Sequence, residues 1–407
     1  MKKETLSRFF MGLIFGGMAG IIVFAVDLPP ALTSLLHTTS GIGIACFNLM
    51  IEILIWPLAC LAFVDAFRLM WSMIRGHYEG SDSVRTYIAT TAMAVVLALF
   101  LGQVIFTGAK QVMEFAPWIS ERSNVLLFND LNKIFYAVRL EVVCGISALV
   151  GVILAEWDKY KGIQQPLKED LFKVLYNKLI QFIYKLYFAL PFMIFMVAFE
   201  ITSRTGPAVF KFVLLYVVLV FVIVAVHVLM IYSGTIILKL RLSPLTFFRK
   251  CLPLIRVAGW TINSRETEPI TIQTATNKLG VPDSIAKKVV LGGTTLNMDG
   301  TAIMQTIAIL LTAGIYGITF DAFSLWMLAF ILIIIAMVTT AGTLTGMFTL
   351  GIVFHVFGVP LEMLAIIISI SHVVSVAVTP VNILGDLVVA MIVADDFDRL
   401  HRDIYNK

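Results

Sequence analysis

Charge is scarce in this chain. Asp, Glu, Lys and Arg make up 14% of its 407 residues, against 59% hydrophobic residues and a mean hydropathy of +0.94. A soluble domain carries about 25% charged residues, so composition alone excludes an ordinary soluble fold. The net charge of +4 is too small to suggest a nucleic-acid partner. Cysteine is equally sparse: Cys46, Cys60, Cys144 and Cys251 lie in or beside apolar segments, without metal-ligand spacing, and read as packing residues. Histidine is rare as well. In the last third of the chain only His355 and His372 precede the tail, too few to build the His, Cys or metal cluster that catalysis by a buried acid pair usually needs. An enzyme is not expected.

What the chain has in abundance is long apolar runs, many reaching the roughly 20 residues that cross about 30 Å of hydrocarbon as a helix. The first, residues 9–26, follows Lys2, Lys3 and Arg8 but lacks a small-residue cleavage site, and further spans come after it, so it reads as a transmembrane helix rather than a signal peptide. Further spans read at 41–74, 86–108, 128–155, 175–203 and 207–240. All must be helical, because lipid-facing backbone satisfies its own hydrogen bonds. A closed barrel would show short alternating segments instead. Lys and Arg gather in alternate connections: near Arg75 and Arg85, from Lys159 to Lys178, and from Lys239 to Lys250. Those loops, the N-terminus and the C-terminus with Arg399, Arg402 and Lys407 are expected to be cytoplasmic. Short loops suggest a bacterial or archaeal inner (plasma) membrane.

After residue 244 the apolar stretches shorten and Ser, Thr, Gly and Pro break them. The polar run Thr261–Pro269 lies between two modestly apolar arms, and Thr339–Gly346 interrupts a second pair at 323–359. Each arm is about half a bilayer long, so both segments read as re-entrant hairpins, with surface loops between short spans as the alternative. Paired interrupted segments point to a binding site at the interface of a transporter's repeats.

Each hairpin is followed by a helix carrying an amide and an acid. Asn297 and Asp299 sit in Asn-Met-Asp-Gly-Thr, where Gly300 suits an unwound turn; Asn382 and Asp386 are four apart, on one helical face. An intramembrane carboxylate is costly and demands a purpose, and oxygen-rich turns suit hard cations. Pairing with a basic residue is the alternative, but Arg265 is the only one in a comparable hairpin or helix core.

These residues resemble those of the dicarboxylate/amino acid:cation symporters. Asn297–Thr301 is similar to that family's seventh-helix signature; Leu291–Leu296, Pro269-Ile-Thr, Gly358-Val-Pro360 and Asn382–Asp386 fit as well, and Tyr87–Thr91 looks like its third-helix segment. The resemblance implies an all-α integral membrane protein of eight transmembrane helices and two re-entrant hairpins, an inverted-repeat elevator transporter working as a homotrimer. Its scaffold would comprise 1–75 and 128–203. Its moving part would comprise 83–108, 207–240, hairpin 244–280, helix 284–318, hairpin 323–359 and helix 361–397. The resemblance also implies sodium sites. One would use Asp386 with backbone oxygens near Gly293 and Asn297, and another Asp299, Asn297, Tyr87, Thr90 and Thr91. A third would lie where Thr295 and Met298 face the carbonyls of residues 339–343. Asn382 and Asp386 together are a further candidate cation pair.

The substrate end departs from the family pattern. Where acidic amino-acid transporters place an ammonium-binding aspartate and a carboxylate-binding arginine in the eighth helix, this chain has Ser375 and Val378. Arg265 is a candidate anion clamp, although Glu266 and Glu268 are near enough to neutralise it. Ser264, Thr301, Asn382, Gly342 and Gly346 would hold a carboxylate. The expectation is sodium-coupled uptake of a small carboxylate-bearing solute, a C4 dicarboxylate being slightly preferred to a neutral amino acid. Proton coupling and an anion channel on the same fold are the alternatives.

Overall fold

The computed structural model describes residues 3–75, 81–109, 140–160, 171–186, 188–339 and 343–407, and no strand occurs among them. Helices α1 (Lys3–Ala25), α2 (Pro30–Ile74), α3 (Ser81–Ala109), α4 (Leu140–Tyr160), α5 (Leu171–Leu186) and α6 (Leu190–Thr205) form the first half. Helix α7 (Ala208–His227) continues through a π-helical turn, Val228–Tyr232, into α8 (Ser233–Leu238). The second half holds α9 (Pro244–Thr261), α10 (Ser264–Asn277), α11 (Asp283–Leu296), α12 (Asp299–Ile315), α13 (Ala322–Val338), α14 (Thr343–Val356), α15 (Glu362–Asp396) and α16 (Arg402–Asn406). Six helical stretches among the described residues are long and apolar enough to cross a membrane.

Two packing groups emerge, with contacts between them. Helix α1 lies along α6, and α2 packs on α4, α5 and α6; α3 packs on α12, while α15 touches α9, α10, α11, α12 and α14; α1 and α6 also pack on α15, and α2 on α14. The α1–α6 seam has a simple cause. Gly12, Gly16 and Gly20 recur at four-residue spacing, and a Cβ on any of them would run into α6, at the carbonyls of Pro191, Phe195 and Phe199 or the Thr202 hydroxyl. Without a hydrophobic drive between helices in lipid, such small-residue stripes permit the close backbone approach on which association depends.

Several boundaries differ from the sequence expectation. Apolar patterning places α2 at 41–74, but it begins at Pro30 and runs 45 residues, about 68 Å at 1.5 Å per residue. Its polar start conceals it. The hydroxyls of Thr33, Thr38, Thr39 and Ser40 donate to carbonyls one turn back, so the polar residues are absorbed by the helix itself. The span expected at 175–203 is two helices, α5 and α6, because Pro191 in the first turn of α6 has no N–H with which to continue an upstream helix. Of the segment expected at 128–155, residues 128–139 lie outside the described residues.

Each interrupted segment is a pair of helices, α9 with α10 and α13 with α14. In the first, Ile262 has a left-handed conformation with φ 49°, and Asn263 caps α10 by accepting the Arg265 N–H at 3.1 Å. In the second, Asp321 caps α13, and hydrogen bonds from Ser324 hold its carboxyl below the ordinary range. The terminal helix α16 closes the base of the first hairpin. Tyr405 donates to the Ser243 carbonyl at 2.7 Å, and burial pushes its phenol up to about 12.

Helices α2 and α4 are joined by a buried ion pair. Arg68 Nε donates to Asp158 Oδ2 at 2.7 Å and its Nη2 to Oδ1 at 2.8 Å. Removing one partner strands the other charge, at a cost of about 3–5 kcal/mol. Arg68→Met should therefore lower the melting temperature of the detergent-purified protein more than the double change Arg68→Met with Asp158→Leu; equal losses would mean that the pair is not effectively buried.

Candidate cation and carboxylate sites

The centre of the second packing group is the break between α11 and α12. Asn297 (φ −113°, ψ 75°) and Met298 (φ −110°, ψ 52°) are non-helical, as the Asn-Met-Asp-Gly pattern predicts, so backbone groups near the break lose their usual helical partners. One is recovered across the gap: the Gly300 N–H donates to Asn382 Oδ1 of α15 at 2.7 Å, with Thr301 N–H at 3.4 Å. Gly300 is required here, since a Cβ would stand 2.6 Å from the Val378 carbonyl.

Asp299 and Asp386, both buried, flank this break. Thr91 Oγ1 donates to Asp299 Oδ1 at 2.7 Å and Tyr232 Oη to Oδ2 at 2.9 Å. His227 Nε2 is 3.5 Å from the same carboxylate. Asn297 Nδ2 donates to Asp386 Oδ1 at 3.0 Å, while its Oδ1 accepts from Thr90 at 3.1 Å. Asn297 thus links α15 to α3. No Lys or Arg pairs with either carboxylate among the described residues. The surroundings are hydroxyl, amide and backbone oxygen, the donor set of a hard cation. Clusters of three or more His, Cys, Asp and Glu are absent among the residues described.

Not every expected ligand joins this group. Tyr87 is fully buried, but its hydroxyl donates to the Val289 carbonyl at 2.6 Å, anchoring α3 on α11; only its carbonyl turns to Thr90. Gly293 sits against Asp386, where a Cβ would overlap the carboxylate. Asn382 is turned to the α12 N-terminus rather than to Asp386. Thr295 is half-buried on α11, and of the hairpin carbonyls expected opposite it, residues 340–342 lie outside the described residues.

Beside the break is a partly open cavity, about 350 Å³ of empty space including its solvent-facing mouth. The first hairpin contributes Ile262 and Ser264; the central helix Met298, Thr301 and Met304; the second hairpin Thr339 and Gly346; and α15 contributes Ser375, Val378, Thr379 and Asn382. Five of the expected substrate residues besides Asn382 therefore meet here: Ser264, Thr301, Gly346, Ser375 and Val378. Gly342 lies outside the described residues. Arg265 is exposed and does not line the cavity; its charge acts on Glu268, and Asn263 holds Glu266 at 2.9 Å.

Residues 6–396 match the sequence pattern of the sodium:dicarboxylate symporter family. The chain belongs to this family. It is accordingly a multi-pass membrane transporter, of a family whose members are not enzymes. It is similar to an uncharacterized symporter of Haemophilus influenzae, 23% identical over 420 residues that cover 96% of this chain and 94% of that protein. Similarity to excitatory amino acid transporter 5 of Mus musculus is 30% over 213 residues, and to excitatory amino acid transporter 2 of Homo sapiens 25% over 174 residues. Those matches cover 50% and 40% of this chain but only 37% and 30% of the two transporters.

Three contributors to the symporter's centre escape sequence reasoning: Tyr232, His227 and Gln305. Tyr232 and His227 stand in an apolar helix, and the π turn between them brings both toward Asp299; the lone histidine was the available signal. Gln305 is fully buried and donates from Nε2 to the Gly346 carbonyl at 2.8 Å and Thr349 Oγ1 at 3.0 Å, tying the central helix to the second hairpin. Its place six residues after Asp299 in an apolar helix was the cue.

Gly293 supplies a direct test. A methyl group there displaces the Asp386 carboxylate, an overpacking cost of about 1–3 kcal/mol. Gly293→Ala should raise the sodium concentration needed for half-maximal thermal stabilisation by about tenfold or more, whereas Gly234→Ala, with open space around it, should leave it unchanged. An unaltered sodium response in Gly293→Ala would refute a cation site at Asp386.

Proposed function

We propose that this family member is a sodium-driven symporter that imports a small carboxylate-bearing solute by an elevator movement. The observation that carries this reading is the pair of buried carboxylates, Asp299 and Asp386, without a Lys or Arg partner among the described residues. An ionised carboxylate kept from water costs several kcal/mol unless a counter-charge accompanies it. A sodium ion supplies that charge and accepts the surrounding oxygens of Asn297, Thr90 and Thr91. Sodium is preferred to a proton because hydroxyl and amide oxygens serve a hard cation.

The carboxylate of the solute is assigned to Thr301, the Nδ2 of Asn382 and the N-terminal end of α10 at Ser264, a helix end that favours anions. Helices α1, α2, α4, α5 and α6 are assigned to a static, trimer-forming scaffold, and the remaining helices from α3 through α15 to the moving unit. The two packing groups support this division. Eight spans with two re-entrant hairpins, cytoplasmic termini and an inner-membrane location complete the proposal. The preference for a C4 dicarboxylate over a neutral amino acid rests on Ser375, which lacks an ammonium-binding charge, and on Arg265 as a second anion contact; only Ser375 lines the cavity.

The test is sodium titration of the purified protein, read as a thermal shift against choline, because a ligand bound only by the folded state stabilises it. Asp299→Asn and Asp386→Asn should each abolish or greatly weaken the sodium-dependent shift and sodium-driven uptake in proteoliposomes. Full responses in both variants would reject the assignment.

A further inference from the structure

The carboxylate anchor accounts for Thr301 and Asn382 but leaves other polar groups in the cavity wall unused. Ser264, Ser375 and Thr379 are 5%, 2% and 5% exposed, line the cavity, and their hydroxyls have no hydrogen-bond partner among the described residues. Buried hydroxyls are ordinarily satisfied. Serine and threonine in helices usually bond a carbonyl one turn back, as Thr267, Thr271 and Thr306 do here. Ser375 and Thr379, within α15, do not, and Ser264, the first residue of α10, has no turn before it; all three face one space and point to a ligand that carries its own oxygen.

Their arrangement says where that oxygen lies. Thr379 is three residues before Asn382 and Ser375 seven before it, so the three form one stripe on α15. The first group met beyond the carboxylate anchor is therefore the Thr379 hydroxyl, followed by Ser375, with Ser264 on the hairpin wall. No charged side chain lines the cavity among the described residues; its remaining wall includes Ile262, Met304 and Val378.

These facts discriminate among solutes. An ammonium group beside the carboxylate would meet neutral hydroxyls and no anion, and a second carboxylate would meet no cation. Either leaves a desolvated charge unpaired, a cost of several kcal/mol. An unsubstituted alkyl acid would leave the hydroxyls orphaned. A hydroxyl or keto oxygen next to the carboxylate satisfies them, since a serine or threonine hydroxyl both donates and accepts.

We propose that the solute is a small 2-hydroxy or 2-oxo monocarboxylate, its carboxylate on Asn382 and Thr301, its 2-oxygen on Thr379 and Ser375, and its alkyl end against Ile262, Met304 and Val378. This rests on the symporter reading above and replaces its dicarboxylate preference, because Arg265 does not line the cavity.

The full-length protein, purified in detergent at fixed sodium, is titrated by thermal shift with five four-carbon acids: 2-hydroxybutanoate, 2-oxobutanoate, 2-aminobutanoate, butanoate and succinate. The hydroxy or oxo acid should bind at least about fivefold more tightly than the other three, the worth of about one neutral hydrogen bond. Ser375→Ala combined with Thr379→Val should erase its advantage over butanoate. Ser375→Asp should transfer the preference to 2-aminobutanoate, which keeps the test informative should the double variant fold poorly. Tightest binding of 2-aminobutanoate or succinate by the unaltered protein, or parity of butanoate with the oxygenated acids, would overturn the proposal. No stabilisation by any acid while sodium still stabilises would overturn the substrate class alone; no response to sodium would bring down the symporter reading and this inference with it.

Discussion

Two carboxylates withdrawn from water without a Lys or Arg partner among the described residues are the constraint around which the second half of this chain is built. Each ionised group of that kind is tolerated only where counter-charge and hydrogen-bond donors reach it. The chain meets the demand with pieces from five places: hydroxyls of α3, the tyrosine that ends the π turn, the amide at the helix break, and glycines in α11 and α15. Gly385 packs directly on two of them, since a Cβ there would stand 2.6 Å from the Tyr232 hydroxyl and 2.7 Å from the Asn297 amide nitrogen, and any larger residue would part them. Small residues and a broken helix serve one purpose, which is to let oxygen atoms converge where packed side chains would otherwise be.

On the proposed symport reading, the same break would couple cation and solute. Asn297 faces Asp386 and Thr90, while its neighbour Met298 lines the cavity and its sulfur accepts from Asn382 Nδ2 at 3.2 Å. Two consecutive residues without helical restraint thus serve two different sites. A cation that fixes Asn297 also fixes Met298, and with it one wall of the cavity. Reciprocity then requires the solute to favour the cation by the same free energy. Gln305 extends the linkage to the second hairpin through the Gly346 carbonyl, so the hairpin wall is held by the helix that carries Asp299.

Legibility in the sequence followed the local character of each signal. The break at Asn297-Met298, the interruptions between α9 and α10 and between α13 and α14, and the acids at 299 and 386 were readable, because Gly, Pro, Asn and Asp act within a few residues of where they stand. The early start of α2 was not, since its Ser and Thr bond back into their own helix and hydropathy scores them only as polar. The split between α5 and α6 depends on a single proline, Pro191, at the start of the more apolar of the two helices, after an α5 that carries Lys178, Gln181 and Lys185. Tyr232 and His227 were hidden for a different reason: their role is set by a partner far along the chain, Asp299 being 67 positions from Tyr232, and no periodicity records such a contact. Asn382 stands four from Asp386, and the shared face is real, but the amide turns to the uncapped N–H groups of α12. Which partner an amide takes is decided by unsatisfied donors elsewhere, and these appear only once the chain is folded.

The charge of the cavity follows from that of its neighbour. Any ionised group that a solute brings must be balanced inside the same packed unit, where the effective dielectric constant is low and uncompensated charge is expensive. The cation group already holds two carboxylates, and the cavity wall adds no positive side chain among the described residues. A solute with one carboxylate imposes the least additional negative charge on such a unit, and on the proposed reading a cation at Asp299 or Asp386 would lie beside the break and offset it. A second carboxylate would have to draw on the same cations. Neutral hydroxyls along α15 then become the appropriate means of recognition, because they distinguish solutes by geometry and hydrogen bonding without adding another charge that the membrane interior must accommodate.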